Sequence, residues 1–118
     1  MSFGLPVIRL VESLLRSQTG RVLGKQLLRA GTSVGANYRA ALRAKSRRDF
    51  IAKMGTVEEE ADETIYWMQM LIQTGLVQQS RLSELLDEAN QIVAIIVASI
   101  KTARAGSSHP KFGFRSPK

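Results

Sequence analysis

The sequence predicts an all-α protein, an antiparallel up-down-up-down four-helix bundle. Three observations carry this. Apolar residues recur three and four apart over four stretches, which is the pattern of one buried helix face. No alternating strand pattern occurs anywhere. The breaks between stretches are short and rich in Ser, Thr and Gly, and short connections make long amphipathic helices antiparallel neighbours. A chain of 118 residues at 44% hydrophobic and 23% charged content is the size and composition of one globular domain.

The first helix is expected at about 5–16, with Pro6 tolerated in its first turn and Val7, Leu10, Val11, Leu14 and Leu15 as its apolar positions. "SQTG" breaks the chain, and Thr19 is the expected N-cap of a second helix at about 20–43. Ser46 and Asp49 form a capping-box pattern before a third helix at 47–74, which Gly75 ends. Its seam is Phe50, Met54, Val57, Ala61, Thr64, Met68 and Leu71, a heptad-like series of alternating fours and threes. Ser80 is the expected cap of a fourth helix at about 81–104, with Leu82, Leu85, Ala89, Ile92, Ile96 and Ile100 on one face and Gly106 beyond its end. Val93, Ile95 and Val97 make that helix apolar on further faces, which hints at an oligomer. Residues 105–118 are expected to be a flexible basic tail outside a bundle of residues 1–104.

The second helix carries Gly31, Ser33, Gly35 and Asn37 in mid-run, and Gly costs about 1 kcal/mol against Ala in a helix interior. On a wheel at about 100° per residue, Leu23, Leu27, Ala30, Val34, Asn37 and Ala41 form the core seam. Gly24, Gly31, Gly35, Tyr38 and Leu42 lie on one flank, where glycines admit a close helix contact within the protomer or between protomers. A seam Asn such as Asn37 needs a hydrogen-bond partner and can fix register or oligomeric state. Arg21, Lys25, Arg29, Arg39 and Arg43 form a basic stripe opposite the core, extended by Lys45, Arg47 and Arg48.

Charge is unevenly distributed. Residues 1–57 hold eleven Lys/Arg against two Asp/Glu, whereas residues 58–118 hold six against eight, within a net charge of +7. Such a surplus attracts polyanions, nucleic acid first. The stripe equally suits pairing with the acidic block "EEEADE" at 58–63, where Glu60, Glu63 and Trp67 share a helix face. A mixture is expected, some cations paired and the rest free. Tyr66 and Trp67 lie off the third helix's seam, as a subunit interface or as a stacking surface for bases.

Catalysis and metal binding find little support. The one histidine, His109, falls in the tail, and no HExxH, GxSxG, P-loop or GxGxxG motif occurs. The third-helix carboxylates lack the Glu-x-x-His pairs of di-metal bundles, so no metal or cofactor is expected. There is no cysteine, no apolar run of about 18 residues for a membrane span, and Glu12 interrupts the N-terminal apolar stretch of any signal peptide. A cytoplasmic protein without a membrane partner is the expectation.

The stretch "LLRAGTSVGANYRAALRAKSRRDFIAKMGTVEEEADETIYWMQML" resembles the small four-helix bundle proteins that include the large-subunit rRNA intervening-sequence protein and, distantly, the accessory variability protein of diversity-generating retroelements. Arg29, Ala30, Ser33, Val34, Ala36, Asn37, Lys45, Ser46, Phe50 and Glu63 stand at the pattern positions. Many members follow the Asn with "IAEG"; this chain has Tyr38, Arg39, Ala40 and Ala41 instead. The resemblance implies a ring-like homopentamer without catalytic activity, and a basic scaffold for RNA or DNA, accessory to a ribonucleoprotein or reverse transcriptase. The alternative is a protein-interaction scaffold in which the Arg stripe is structural and Gly31, Gly35, Asn37, Tyr38, Glu63, Tyr66 and Trp67 serve packing or assembly.

Overall fold

A computed structural model describes residues 3–106, in which four α-helices and no strand occur: α1 (Gly4–Glu12), α2 (Gln18–Leu42), α3 (Arg47–Gln73) and α4 (Gln79–Arg104). Each helix packs on the next, α1 on α2, α2 on α3 and α3 on α4. The molecule is a rod of 54 × 19 × 17 Å. The long helices account for about 38 Å of that length, at about 1.5 Å per residue over 25 residues. The tail expected at 105–118 lies outside the described residues from 107 onward.

Local chemistry at the ends departs from the sequence expectations in three places. Helix α1 stops at Glu12, not Arg16, because the Ser13 hydroxyl and amide both donate to the Leu10 carbonyl, at 2.6 and 3.1 Å. Leu14 still reaches the core from the following turn, but Leu15 is 54% exposed. Ser17, not Thr19, caps α2: its extended backbone lets the hydroxyl accept the Gly20 amide at 2.9 Å. A Cβ on Gly20 would stand 2.3 Å from the Leu14 carbonyl oxygen, so the tight α1–α2 corner requires glycine. Helix α4 begins at Gln79 after Gln78, with no side-chain cap, so Ser80 lies inside its first turn.

The α3 start follows the expected chemistry with a one-residue offset. Ser46 accepts the Asp49 amide at 3.0 Å, while Asp49 accepts the Lys45 amide at 3.1 Å, one residue before the cap itself. Helix α3 ends at Gln73 with Gly75 at φ +77, and Gly106 follows α4 at φ +83.

Core composition follows the seams. All seven expected α3 positions are buried, Thr64 among them, its hydroxyl donating to the Glu60 carbonyl at 2.7 Å. On α4, Leu82, Ala89, Ile92, Ile96 and Ile100 are buried, but Leu85 is only half-buried because it borders an open cleft against Pro6 and Leu10 of α1. On α2, Leu23, Leu27, Ala30, Val34 and Ala41 are buried, and half-buried Asn37 donates to the Ser33 carbonyl at 2.9 Å. Phe3, which the periodicity did not single out, is 1% exposed and closes the core beside α1.

The two mid-helix glycines of α2 have different surroundings. A Cβ on Gly31 would stand 2.8 Å from Val7 Cγ1, and one on Gly24 3.2 Å from Val11 Cγ1, so α1 of the same chain lies directly on this flank. A Cβ on Gly35 meets nothing within 4 Å among the described residues. Nine-residue α1 begins level with Thr32, where Gly4 faces the Thr32 Cα, and does not reach Gly35. The close contact expected at both glycines is therefore present in this chain at Gly31 and not at Gly35.

Candidate nucleic-acid interface

The basic stripe of α2 is divided by its neighbours. Arg29 faces α3, pairing with Glu60 at 3.5 Å and, more closely, with Glu63. Glu63 Oε1 also accepts the Trp67 indole N–H at 3.2 Å, and Trp67 meets Tyr66 edge to face at a centroid distance of 4.9 Å. Arg29, Glu63, Trp67 and Tyr66 thus form one cluster that ties α2 to α3, with Tyr66 51% exposed at its rim. Arg21 donates to the Leu15 carbonyl at 3.2 Å across the α1–α2 corner.

The other cations stand differently. Lys25, Arg39, Arg43, Lys45 and Arg48 are exposed, and their side chains make no ion pair or hydrogen bond among the described residues. All but Lys25 lie where α2 ends and α3 begins. Arg47 is half-buried, and its guanidinium donates to the Gly106 carbonyl at 3.0 Å, which brings the end of α4 to the same corner. Arg47 Nε is buried with no acceptor among the described residues.

That contact adds two cations which the face-by-face reading of α2 missed. Lys101 and Arg104 occupy the last turn of α4, beside the Arg47 corner. Helix C-termini favour cations, so a stabilising role alone accounts for their presence there. Their distance from Arg47 in sequence, more than fifty residues, hid the shared location. The one carboxylate in the first turn of α3, Asp49, is held by Lys53 Nζ at 2.6 Å. Hydrogen bonding from Lys53, and then from the Lys45 amide, holds its pKa below the usual 3.8.

The opposite end carries Glu84, Asp87 and Glu88 on the first half of α4, together with Arg81, and Arg9 of α1 lies across the cleft. Among the described residues no group of three His, Cys, Asp or Glu is arranged to hold a metal ion, and no helix is long and apolar enough to cross a membrane.

The family model for the 23S rRNA-intervening sequence protein matches residues 1–98. The chain belongs to that family. Among solved structures, the chain is similar to a protein of unknown function from the S23 ribosomal protein family of Bacteroides thetaiotaomicron. The two are 37% identical, with a TM-score of 0.81 over 86% of this chain and 94% of that one. Comparison with curated proteins returned no match. The family match includes α1, α2 and α3 entirely and stops at Ala98, before Lys101 and Arg104.

Proposed function

We propose that this protein is a non-enzymatic scaffold of the cytoplasm that binds RNA or DNA through its basic surface, as an accessory to a ribonucleoprotein or reverse transcriptase. The observation that carries the reading is the set of cations Arg39, Arg43 and Arg48 at one corner, without an ion pair or hydrogen bond among the described residues and with Lys45 beside them near Asp49, while Arg29 alone on the stripe is paired with the α3 acids. Cations free of intramolecular partners can neutralise phosphates without first breaking an ion pair, and counterion release then drives binding. The family's description, 23S rRNA-intervening sequence protein, fits a ribonucleic setting.

The bundle in this reading runs up-down-up-down and assembles as a ring-like homopentamer. The exposed apolar side chain of Ile95 on α4, at 61%, supports self-association, since a monomer leaves it in water. A second reading, a protein-interaction scaffold with a structural Arg stripe, is favoured by the Arg29–Glu63–Trp67 cluster, which consumes the central arginine in packing.

Light scattering on the purified protein with and without structured RNA, across a salt series, separates the two. The nucleic-acid reading expects a complex that weakens steeply with salt and is lost when Arg39, Arg43, Arg47 and Arg48 are replaced by Ala. The same RNA affinity in that variant would overturn it, and no RNA retention in the wild type at physiological salt would favour the second reading.

A further inference from the structure

A groove of about 320 Å³ opens between α3 and α4 at the cationic end. Its floor is Ile51, Val97 and Ile100; Lys101 and Arg104 stand at its outer end and Glu58 at its inner end. The order follows from the Arg47–Gly106 contact, which brings the start of α3 against the end of α4. On α3, Ile51, Gly55 and Glu58 fall within about 60° on a helical wheel and line one side of the groove. From Ile51 to Glu58 the groove runs about 10 Å, at about 1.5 Å per residue.

Gly55 keeps this groove open. It sits in the middle of a 27-residue helix, at a cost of about 1 kcal/mol against Ala. Close packing does not explain it, because a Cβ there meets nothing within 4 Å among the described residues. The groove therefore has an apolar floor with space above it, cations at one end and one carboxylate at the other.

We propose that this groove is a subsite for one unstacked nucleotide of a single-stranded nucleic acid. The inference rests on the nucleic-acid reading above and specifies where and how that ligand sits. The base lies over Ile51, Val97 and Ile100 through the space at Gly55. Its flanking phosphates meet Lys101 and Arg104, which supply the charge complementarity. Glu58 accepts a hydrogen bond from an exocyclic amino group, which selects cytosine over uracil at equal ring size. Apolar floor, cationic rim and single acceptor match the way single strands are held, by base packing together with phosphate neutralisation.

The test is fluorescence anisotropy of the full chain with short labelled oligocytidylate and oligouridylate, over a salt series, for wild type, Gly55→Leu, Gly55→Ala, Glu58→Gln and Lys101→Gln/Arg104→Gln. Gly55→Leu fills the groove without changing charge and should weaken oligocytidylate binding about tenfold, the scale of one lost base contact. Its binding of inorganic polyphosphate should not change. Lys101→Gln/Arg104→Gln should lower the salt slope by about 1.4, two phosphates at about 0.7 each. Glu58→Gln should reduce the preference for cytosine, and Gly55→Ala should keep it. Wild type that binds neither oligonucleotide refutes the broader nucleic-acid reading. Wild type that binds, with Gly55→Leu and the double Gln variant equal to it, overturns the groove alone. Loss of binding together with a fall in light-scattering mass for Gly55→Leu would assign the groove to a second copy of the chain and also overturn the proposal. Should Gly55→Leu fail to fold by circular dichroism, the double Gln variant decides the matter through its salt slope.

Discussion

Gly31→Ala is the sharpest probe of how α1 seats on α2. Helix propensity favours the change by about 1 kcal/mol. Packing opposes it, because the new methyl would lie 2.8, 3.0 and 3.2 Å from Val7 Cγ1, Cγ2 and Cβ. Val7 is fully buried and β-branched, so its χ1 has little room to turn away, and α1 itself must shift. Overpacking of this kind costs about 1–3 kcal/mol, which leaves a net loss of roughly 1 kcal/mol and a fall in Tm of about 4–8 °C. Gly35→Ala has the same propensity gain with no neighbour within 4 Å and should raise stability by up to about 1 kcal/mol. Urea and thermal unfolding of both variants, with Val7→Ala and Val7→Ala/Gly31→Ala completing a cycle, supply the comparison. In the Val7→Ala background the methyl at position 31 should become stabilising. Equal stability for Gly31→Ala and Gly35→Ala, or no coupling to Val7, would refute the direct seating of α1 on Gly31. Destabilisation at Gly35 would refute the open flank and point to a second copy there.

Three further outcomes follow from the site and the helix ends. Ser17→Ala should cost about 1 kcal/mol in urea unfolding through loss of the α2 cap, while Thr19→Ala should be near neutral. Glu63→Ala removes the closer partner of Arg29, leaving Glu60, and the acceptor of the single Trp67, and should cost about 1 kcal/mol with a shift in Trp emission; Glu63→Gln, which keeps an acceptor for the indole, should shift the emission less. Asp49 has a folded pKa below its usual 3.8, so its pairing with Lys53 stabilises above that value and is lost as pH falls through the lowered one; Asp49→Asn should flatten the acid limb of a stability–pH profile.

Periodicity was a sufficient guide wherever one helix meets the core along its whole length. The α3 seam from Phe50 to Leu71 is buried as its spacing predicts, because a 27-residue amphipathic helix has one face on which every i, i+3, i+4 position falls together. Helix ends were less legible. Ser17 and Thr19 have similar capping power, so the choice is decided by where the neighbouring helix has to enter, and α4 starts at Gln79 without using the Ser80 hydroxyl as a cap. The short α1 belongs to the same class: Leu15 keeps the apolar spacing, but the Ser13 hydroxyl bond turns the chain before it.

For the candidate site, the sequence by itself determined the surplus of cations, their stripe on the second helix, the mid-helix glycines and the acids able to meet them, since each is a property of one segment and its spacing. Tertiary structure decided which of these act together. Arg29 and Glu63 are joined, and Arg39, Arg43 and Arg48 are not, because only the middle of α2 faces the acids of α3. Gly31 is filled by Val7 and Gly35 is not, because α1 has nine residues and ends its cover near Thr32. Lys101, Arg104 and Gly55 share an open groove because α4 comes back along α3 to Arg47. Contacts between residues more than twenty positions apart leave no periodic trace in either segment, so only the packing of one helix on another could bring them into view.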